Sequence, residues 1–250
     1  MISILIAGDL CPNGKYQECF RTGNIKPIKE ELSKFVDDSD IFIANLECPL
    51  TDSETPIPKI GPNLRVHPDC IKGVKELGID VLNLANNHIY DHGQPGIVST
   101  LKTIDSNGVD YFGAGTNTQN ARKLFIKEVE GKRIAFYGCT EKEFSNATRY
   151  NGGANGIDLI SFHNELSSNK GKYDNLFVIV HGGKEFYHYP SPNLQRLCRH
   201  FVDSGVSAVI VQHTHCIGSH EIYNNCPIFY GQGNFIFDAK ESVNPDWWSG

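Results

Sequence analysis

The 250-residue sequence has no apolar run approaching ~20 residues, which argues against a membrane span in this chain. It has no basic segment at its start. MISILIAGD is a short apolar stretch without a positive flank, expected to be a first strand rather than a secretion signal. It also has no Lys/Arg run. The 29 acidic residues exceed the 23 basic ones, and the net charge of −6 argues against a nucleic-acid surface. Eight cysteines occur but none forms a CxxC pair, so a zinc ribbon or thioredoxin-type site is not expected. Without a secretion signal, the thiols are expected to be reduced and the protein cytoplasmic. For the same reason Asn146-Ala147-Thr148 reads as a chance glycosylation match. No internal repeat or linker interrupts the chain, so residues 1–250 are expected to form a single domain.

What is present is an alternation of strands and helices. Apolar runs at 2–7, 41–44, 80–85, 109–112, 176–180 and 208–211 read as strands. Helical spacing places helices at about 25–37, from Pro68 to Gly78, at 97–104 and at 194–202. Residues 124–129 and 133–137 flank Gly131-Lys132 and read as a hairpin. Short strands are expected at 219–223, 227–230 and 234–238. The four prolines of residues 45–66 and the glycines of 139–157 mark long loops. The fold class is therefore α/β, with antiparallel pairs toward the C-terminal half.

The strands share one peculiarity. The runs are followed by Asp9, by Asn45 and Glu47, by Asn87 and His88, by His181, and by His213 and His215. In a mostly parallel sheet the carboxyl ends of strands share one edge, where ligands bind. Each residue alone has a plainer reading. Asp9 would be a turn or cap, Asn86-Asn87 a turn, and His181 a satisfied imidazole. Together they form an oxygen and nitrogen donor set suited to one or two divalent ions such as Mn, Fe or Zn.

The motifs GD (8–9), NLECPL (45–50), LANNHIYDHG (84–93), HGGKE (181–185), PSPNLQRL (190–197), HTH (213–215) and PIFYGQGNFIFD (227–238) occur in this order. In that combination the chain resembles the CapA family of capsule and poly-γ-glutamate synthesis proteins over about residues 2–238. The family has a calcineurin-like metallophosphoesterase fold. The resemblance implies a four-layer α-β-β-α sandwich with two mixed sheets. It also implies metal ligands at Asp9, Glu47, Asn87, His181, His213 and His215, with Cys11 and Asn45 as further candidates. His88 matches a histidine that contacts substrate and protonates a leaving group, and Asp91 one that orients it. Arg65 resembles an arginine that holds an anionic substrate group.

This sequence departs from the wider superfamily in several places. Cys11 stands at a histidine position, Glu47 replaces an aspartate, and Gly182 stands where the family usually has Trp, which would open one wall of the pocket. The end at Asp246-Trp247-Trp248-Ser249-Gly250 falls where the family runs into another strand, so the domain is expected to be shortened or to continue. Cys11, Cys48, Cys139 and Cys216 fall at predicted strand ends, where they serve either as small buried apolar groups or as reactive thiols.

The implied function is metal-assisted hydrolysis of a phosphoester or a γ-glutamyl amide, on an anionic small molecule or polymer. The alternatives are a non-catalytic metal-binding accessory of poly-γ-glutamate synthesis and a general cytoplasmic phosphatase. Oligomeric state is left open.

Overall fold

The computed structural model describes residues 1–141 and 143–238. In the first half each strand reaches the next by a crossover. β1 (Ile4–Cys11) leads through α1 (Gln17–Thr22) and α2 (Lys26–Val36) to β2 (Ile41–Leu46). The proline-rich loop and α3 (Ile71–Glu76) lead to β3 (Val81–Asn83), and α4 (Gly93–Ser106) leads to β4 (Asp110–Phe112). The short β5 (Ala114–Gly115) and α5 (Thr118–Ala121) precede the expected hairpin of β6 (Phe125–Val129) and β7 (Lys132–Thr140). Next come β8 (Gly153–Ala154), α6 (Leu159–Ser168), β9 (Asn175–His181), α7 (Pro192–Asp203) and β10 (Ala208–Gln212). β11 (His220–Tyr223), β12 (Cys226–Phe229) and β13 (Asn234–Phe237) complete the described chain. The residues at 246–250 lie outside the described residues.

Several elements were not expected: α1, α5, α6 and the antiparallel β5–β8 pair, whose β8 lies inside the supposed 139–157 loop. α6 is started by Asp158, whose side chain accepts from the backbone N–H of Ile160 and Ser161. It fully buries only Phe162, so its apolar face is too thin to register as a periodicity.

The strands form two large sheets. The first, in the order β13-β1-β2-β3-β4, is parallel throughout. The second, β11-β12-β10-β9-β7-β6, is mixed, with an antiparallel pair at each edge. The expectation of two mixed sheets thus holds for one of them. In the first sheet every connection crosses over, and β13 arrives only after the chain has built the second sheet. No hairpin there can supply an antiparallel neighbour.

Strand alternation assigns the layers. Ile41, Ile43, Val81, Phe112, Ile134, Phe136, Ile179 and Ile210 pack together between the sheets. Their neighbours along the strands face outward. Phe42, Ala44 and Leu82 meet Ile97 and Ile104 of α4, while Val178, Val180 and Val209 meet Leu194 and Phe201 of α7. The result is helix, sheet, sheet, helix, as the resemblance implied.

One residue pair further along each strand, the inter-sheet face turns polar. Period two carries Ile43 to Asn45, Val81 to Asn83, Ile179 to His181 and Ile210 to Gln212, all buried. β1 joins this layer by an irregularity. Its register against β2 shifts between Ile6 and Asp9, which brings Asp9 rather than Gly8 to the polar face. Gly8 is required there, because a Cβ would stand 2.1 Å from the carbonyl oxygen of Gly233.

Candidate metal centre

The strand ends bring their donors to one point. Among the described residues, three overlapping sets have ligand atoms within 4.8 Å of one another: Asp9, Glu47 and His215; Glu47, His181 and His213; and Glu185, His213 and His215. Glu47 belongs to the first two sets, as a bridging carboxylate must. His181 Nε2 lies 2.9 Å from Asn87 Oδ1, 3.1 Å from His213 Nδ1 and 3.2 Å from Glu47 Oε1. Donors bonded to one ion at ~2.1 Å stand roughly 3.0–3.4 Å apart, so this spacing fits a shared cation.

Local backbone geometry makes the convergence possible. His213 and His215 take φ values of 96° and 53°, conformations that non-glycine residues rarely adopt. Such strain is characteristic of functional turns. The His213 N–H donates to Asp9 Oδ2 at 3.1 Å. His215 Nδ1 donates to Asn234 Oδ1 at 2.7 Å, a bond that leaves Nε2 as the donor atom facing Glu47 Oε1 at 3.9 Å. Asn86 pins the Asn-Asn-His turn. Its Nδ2 donates to the Leu46 carbonyl at 2.8 Å, and its Oδ1 accepts the His88 N–H at 3.1 Å.

Beneath the donors lies a layer of amides that sequence reasoning missed, apart from Asn45. Asn45 Nδ2 donates to Asp9 Oδ1 at 2.7 Å, and Asn83 Nδ2 donates to Asn45 Oδ1 at 3.1 Å and Gln212 Oε1 at 3.3 Å. Gln212 Nε2 continues to Gln232 Oε1 at 2.9 Å. Asn45 therefore stands under Asp9, with its Nδ2 also 3.2 Å from His181 Nδ1. The signal that could have revealed Asn83 and Gln212 was the period-two continuation of the core face into amides.

The electrostatics fit a divalent cation. Both carboxylate oxygens of Glu47 are buried without a hydrogen-bond partner. Burial, and then the charge of Asp9, push its carboxyl well above the usual range. Burial pushes His181 down to about 3 and His213 well below its usual value, so both are neutral imidazoles with lone pairs to give. For His215 burial acts downward, but the carboxylates of Glu47 and Asp9 outweigh it and the net direction is up. A buried acid with two orphan oxygens, ringed by neutral imidazoles, is the environment a divalent ion completes.

At one side of this cluster His88 Nδ1 donates to Asp91 Oδ2 at 2.7 Å. His88 is close enough for its charge to bear on His181 and His213. Asp91 is fully buried and also accepts the Leu64 N–H at 2.6 Å. Its third partner is Lys59, an ion pair whose lysine side chain is only 3 % exposed and lies 3.2 Å from His88 Nδ1. Lys59 belongs to the proline-rich loop, and nothing in its sequence neighbourhood marks it. Lys59→Met is expected to destabilise the fold by about 3 kcal/mol, because it leaves the Asp91 charge buried without its cation. Urea denaturation checks this, and an unchanged midpoint would mean that Leu64 and His88 suffice for Asp91.

The side-chain contacts of two other sequence candidates are made elsewhere. Arg65 donates to the carbonyls of Asp52 and Ser53 and to Glu54 Oε1, within its own loop. Cys11 is buried in the outer core with Cys48 as its side-chain neighbour. All eight cysteines are free thiols. The space a side chain at Gly182 would enter is taken by Glu141, whose Cγ lies 2.6 Å from the Cβ position, so this wall is not open.

The family described as bacterial capsule synthesis protein PGA_cap matches residues 3–239. The chain is 29% identical over 246 residues to a capsule biosynthesis protein CapA of Bacillus anthracis, covering 95% of this chain and 60% of that one. It is 31% identical over 212 residues to a PGA biosynthesis protein CapA of Bacillus subtilis (strain 168), covering 80% and 54%. The chain thus spans little more than half the length of these relatives. In three dimensions it is similar to a phosphatase of Mycoplasma pneumoniae, with a TM-score of 0.58 at 15% identity over 93% of this chain and 72% of that one. That likeness concerns the fold alone, a helix, sheet, sheet, helix sandwich. The ordered motifs and the match over nearly the whole length agree: the chain belongs to the bacterial capsule synthesis protein (PGA_cap) family.

Proposed function

We propose that this chain is a metal-dependent hydrolase with a two-ion centre, acting on an anionic substrate of capsule or poly-γ-glutamate metabolism and cleaving a phosphoester or a γ-glutamyl amide. Glu47 carries this reading: a fully buried carboxylate, shared by two donor sets, with both oxygens lacking hydrogen-bond partners. The names of the two Bacillus relatives support the link to capsule and poly-γ-glutamate. Asp9, Glu47 and His215 would hold one ion, and Glu47, Asn87, His181 and His213 the other. When bound, such ions supply Lewis-acid polarisation and a water acidified toward pKa ~7.

The chain's own residues do the rest. The amide layer fixes Asp9 from below, and the strained 213–215 turn aims both imidazoles inward. His88, held through Nδ1 by Asp91, leaves Nε2 to pass a proton to the departing oxygen or nitrogen. Lys59 offsets the Asp91 charge and ties the long loop to this pair. Elemental analysis of protein purified without chelators is expected to find about one to two equivalents of Mn, Fe or Zn. A metal-supplemented screen of phosphoesters and γ-glutamyl peptides then tests hydrolysis. Bound metal without turnover would favour an accessory, metal-binding role. Absence of metal, with no uptake on adding Mn or Zn, would remove the proposal.

Metal uptake should also release protons. Without a cation, the raised Glu47 and His215 hold protons nearer neutrality than ordinary groups do. Binding expels them, so affinity is expected to fall as pH is lowered through those raised values and to rise with pH. Titration calorimetry in two buffers of different ionisation enthalpy measures the release. A release that does not change with pH would contradict the raised Glu47 and His215.

A further inference from the structure

Glu185 belongs to the HGGKE motif but has no role in the reading above. It lies beside the centre for a structural reason. After β9, the Gly182 N–H donates to the Gln212 carbonyl at 3.0 Å and the Phe186 N–H to the Thr214 carbonyl at 2.8 Å. The 182–186 turn therefore runs along the 212–214 turn, with Glu185 facing His213. Phe186 sits at φ 64°, so three of the six positive-φ non-glycine residues among those described (Phe186, His213 and His215) meet at this one place.

The two ring nitrogens of His213 face different neighbours. Nδ1 lies 3.1 Å from His181 Nε2, on the side of the buried donors. Nε2 lies 4.0 Å from Glu185 Oε1. Glu185 is half exposed, with 49 % of its side chain accessible, so a small rotation can close that gap. Its carboxylate also comes within ligand range of His215.

We infer that Glu185 is a positioning residue of the metal centre: its carboxylate accepts the Nε2–H of His213, which fixes the tautomer and ring orientation that present Nδ1 to the ion. A metal-bound histidine ordinarily donates its other N–H to such a partner, and loss of the partner weakens metal binding. The inference rests on the metal-centre reading, but its failure would show separately.

The test is Mn(II) titration calorimetry on chelator-treated wild type, Glu185→Ala and Glu185→Gln, with the melting temperature of each metal-free protein. Glu185→Ala is expected to bind Mn(II) about 10- to 100-fold more weakly, with its metal-free melting temperature unchanged. Glu185→Gln keeps an amide oxygen that can accept from Nε2–H, and is expected to recover part of the loss. Affinity of Glu185→Ala within about twofold of wild type would overturn the inference and leave the metal centre intact. Glu185→Gln as weak as Glu185→Ala would overturn positioning through this hydrogen bond, since charge or direct ligation would then account for the loss. Wild type that takes up no Mn(II) would end the metal-centre reading itself.

Discussion

Glu47→Met is expected to abolish tight divalent-metal binding and, in the same protein, to raise the melting temperature of the metal-free form. Glu47 is common to the two inner donor sets, so its removal would take a ligand from both of the proposed ions at once. Without metal it is a liability. It is fully buried, neither oxygen has a hydrogen-bond partner, and burial together with Asp9 opposes its ionisation. An unsatisfied buried polar group costs about 1–3 kcal/mol. Methionine has a similar length, no polar atoms and enough flexibility to fit the space. Each kcal/mol recovered is worth roughly 2–4 °C in a chain of this size. Elemental analysis and differential scanning calorimetry after chelation read the two effects independently. Retained metal, or a lower metal-free melting temperature, would contradict the view that this site gives up stability for a cation.

His88→Asn is expected to lower turnover by ~10²–10⁴ on whichever phosphoester or γ-glutamyl substrate the wild type cleaves, with metal content unchanged. The reason is position. His88 directly follows Asn87, the proposed amide ligand, and lies outside all three donor sets. Its Nδ1 is taken by Asp91, and Asp91 is in turn held by Lys59 and Leu64. An imidazole so fixed, beside the proposed metal centre but outside its donor sets, is placed for proton transfer. Asparagine preserves polarity and approximate volume but carries no transferable proton near neutrality. Undiminished turnover would remove His88 from the mechanism, and lost metal would make it a ligand instead.

The parts that could be read from the chain are those written in local pattern. Apolar runs marked β1, β2, β3, β9 and β10. The abrupt change from such a run to Asp9, Glu47, Asn87, His181 or His213 marked the candidate site, because a protein rarely sets imidazoles and carboxylates at successive strand ends without a use for them. Asn83 and Gln212 were in principle readable too. They continue the inter-sheet face two residues beyond Val81 and Ile210, and the change from aliphatic to amide within one face signals where a core becomes a floor. Lys59 was not readable, since a lysine in a proline-rich loop is ordinarily solvated and only the fold brings it against Asp91. Glu185 lay within a recognised motif, yet nothing local distinguishes it from Lys184 beside it.

The sequence by itself determined the class of fold, the edge on which the site would lie and the chemistry of most of its donors, because strand periodicity and side-chain type are properties of neighbouring residues. Only the tertiary structure decided the rest. The register shift in β1 brought Asp9 rather than Gly8 to the polar face, and the left-handed turns at His213 and His215 aimed both rings inward. Crossover topology made the first sheet wholly parallel. Long-range packing set Cys11 in the outer core while drawing Lys59 against Asp91 and Glu185 beside His213. These outcomes depend on which distant segments are forced into contact, and no window of adjacent residues carries that information.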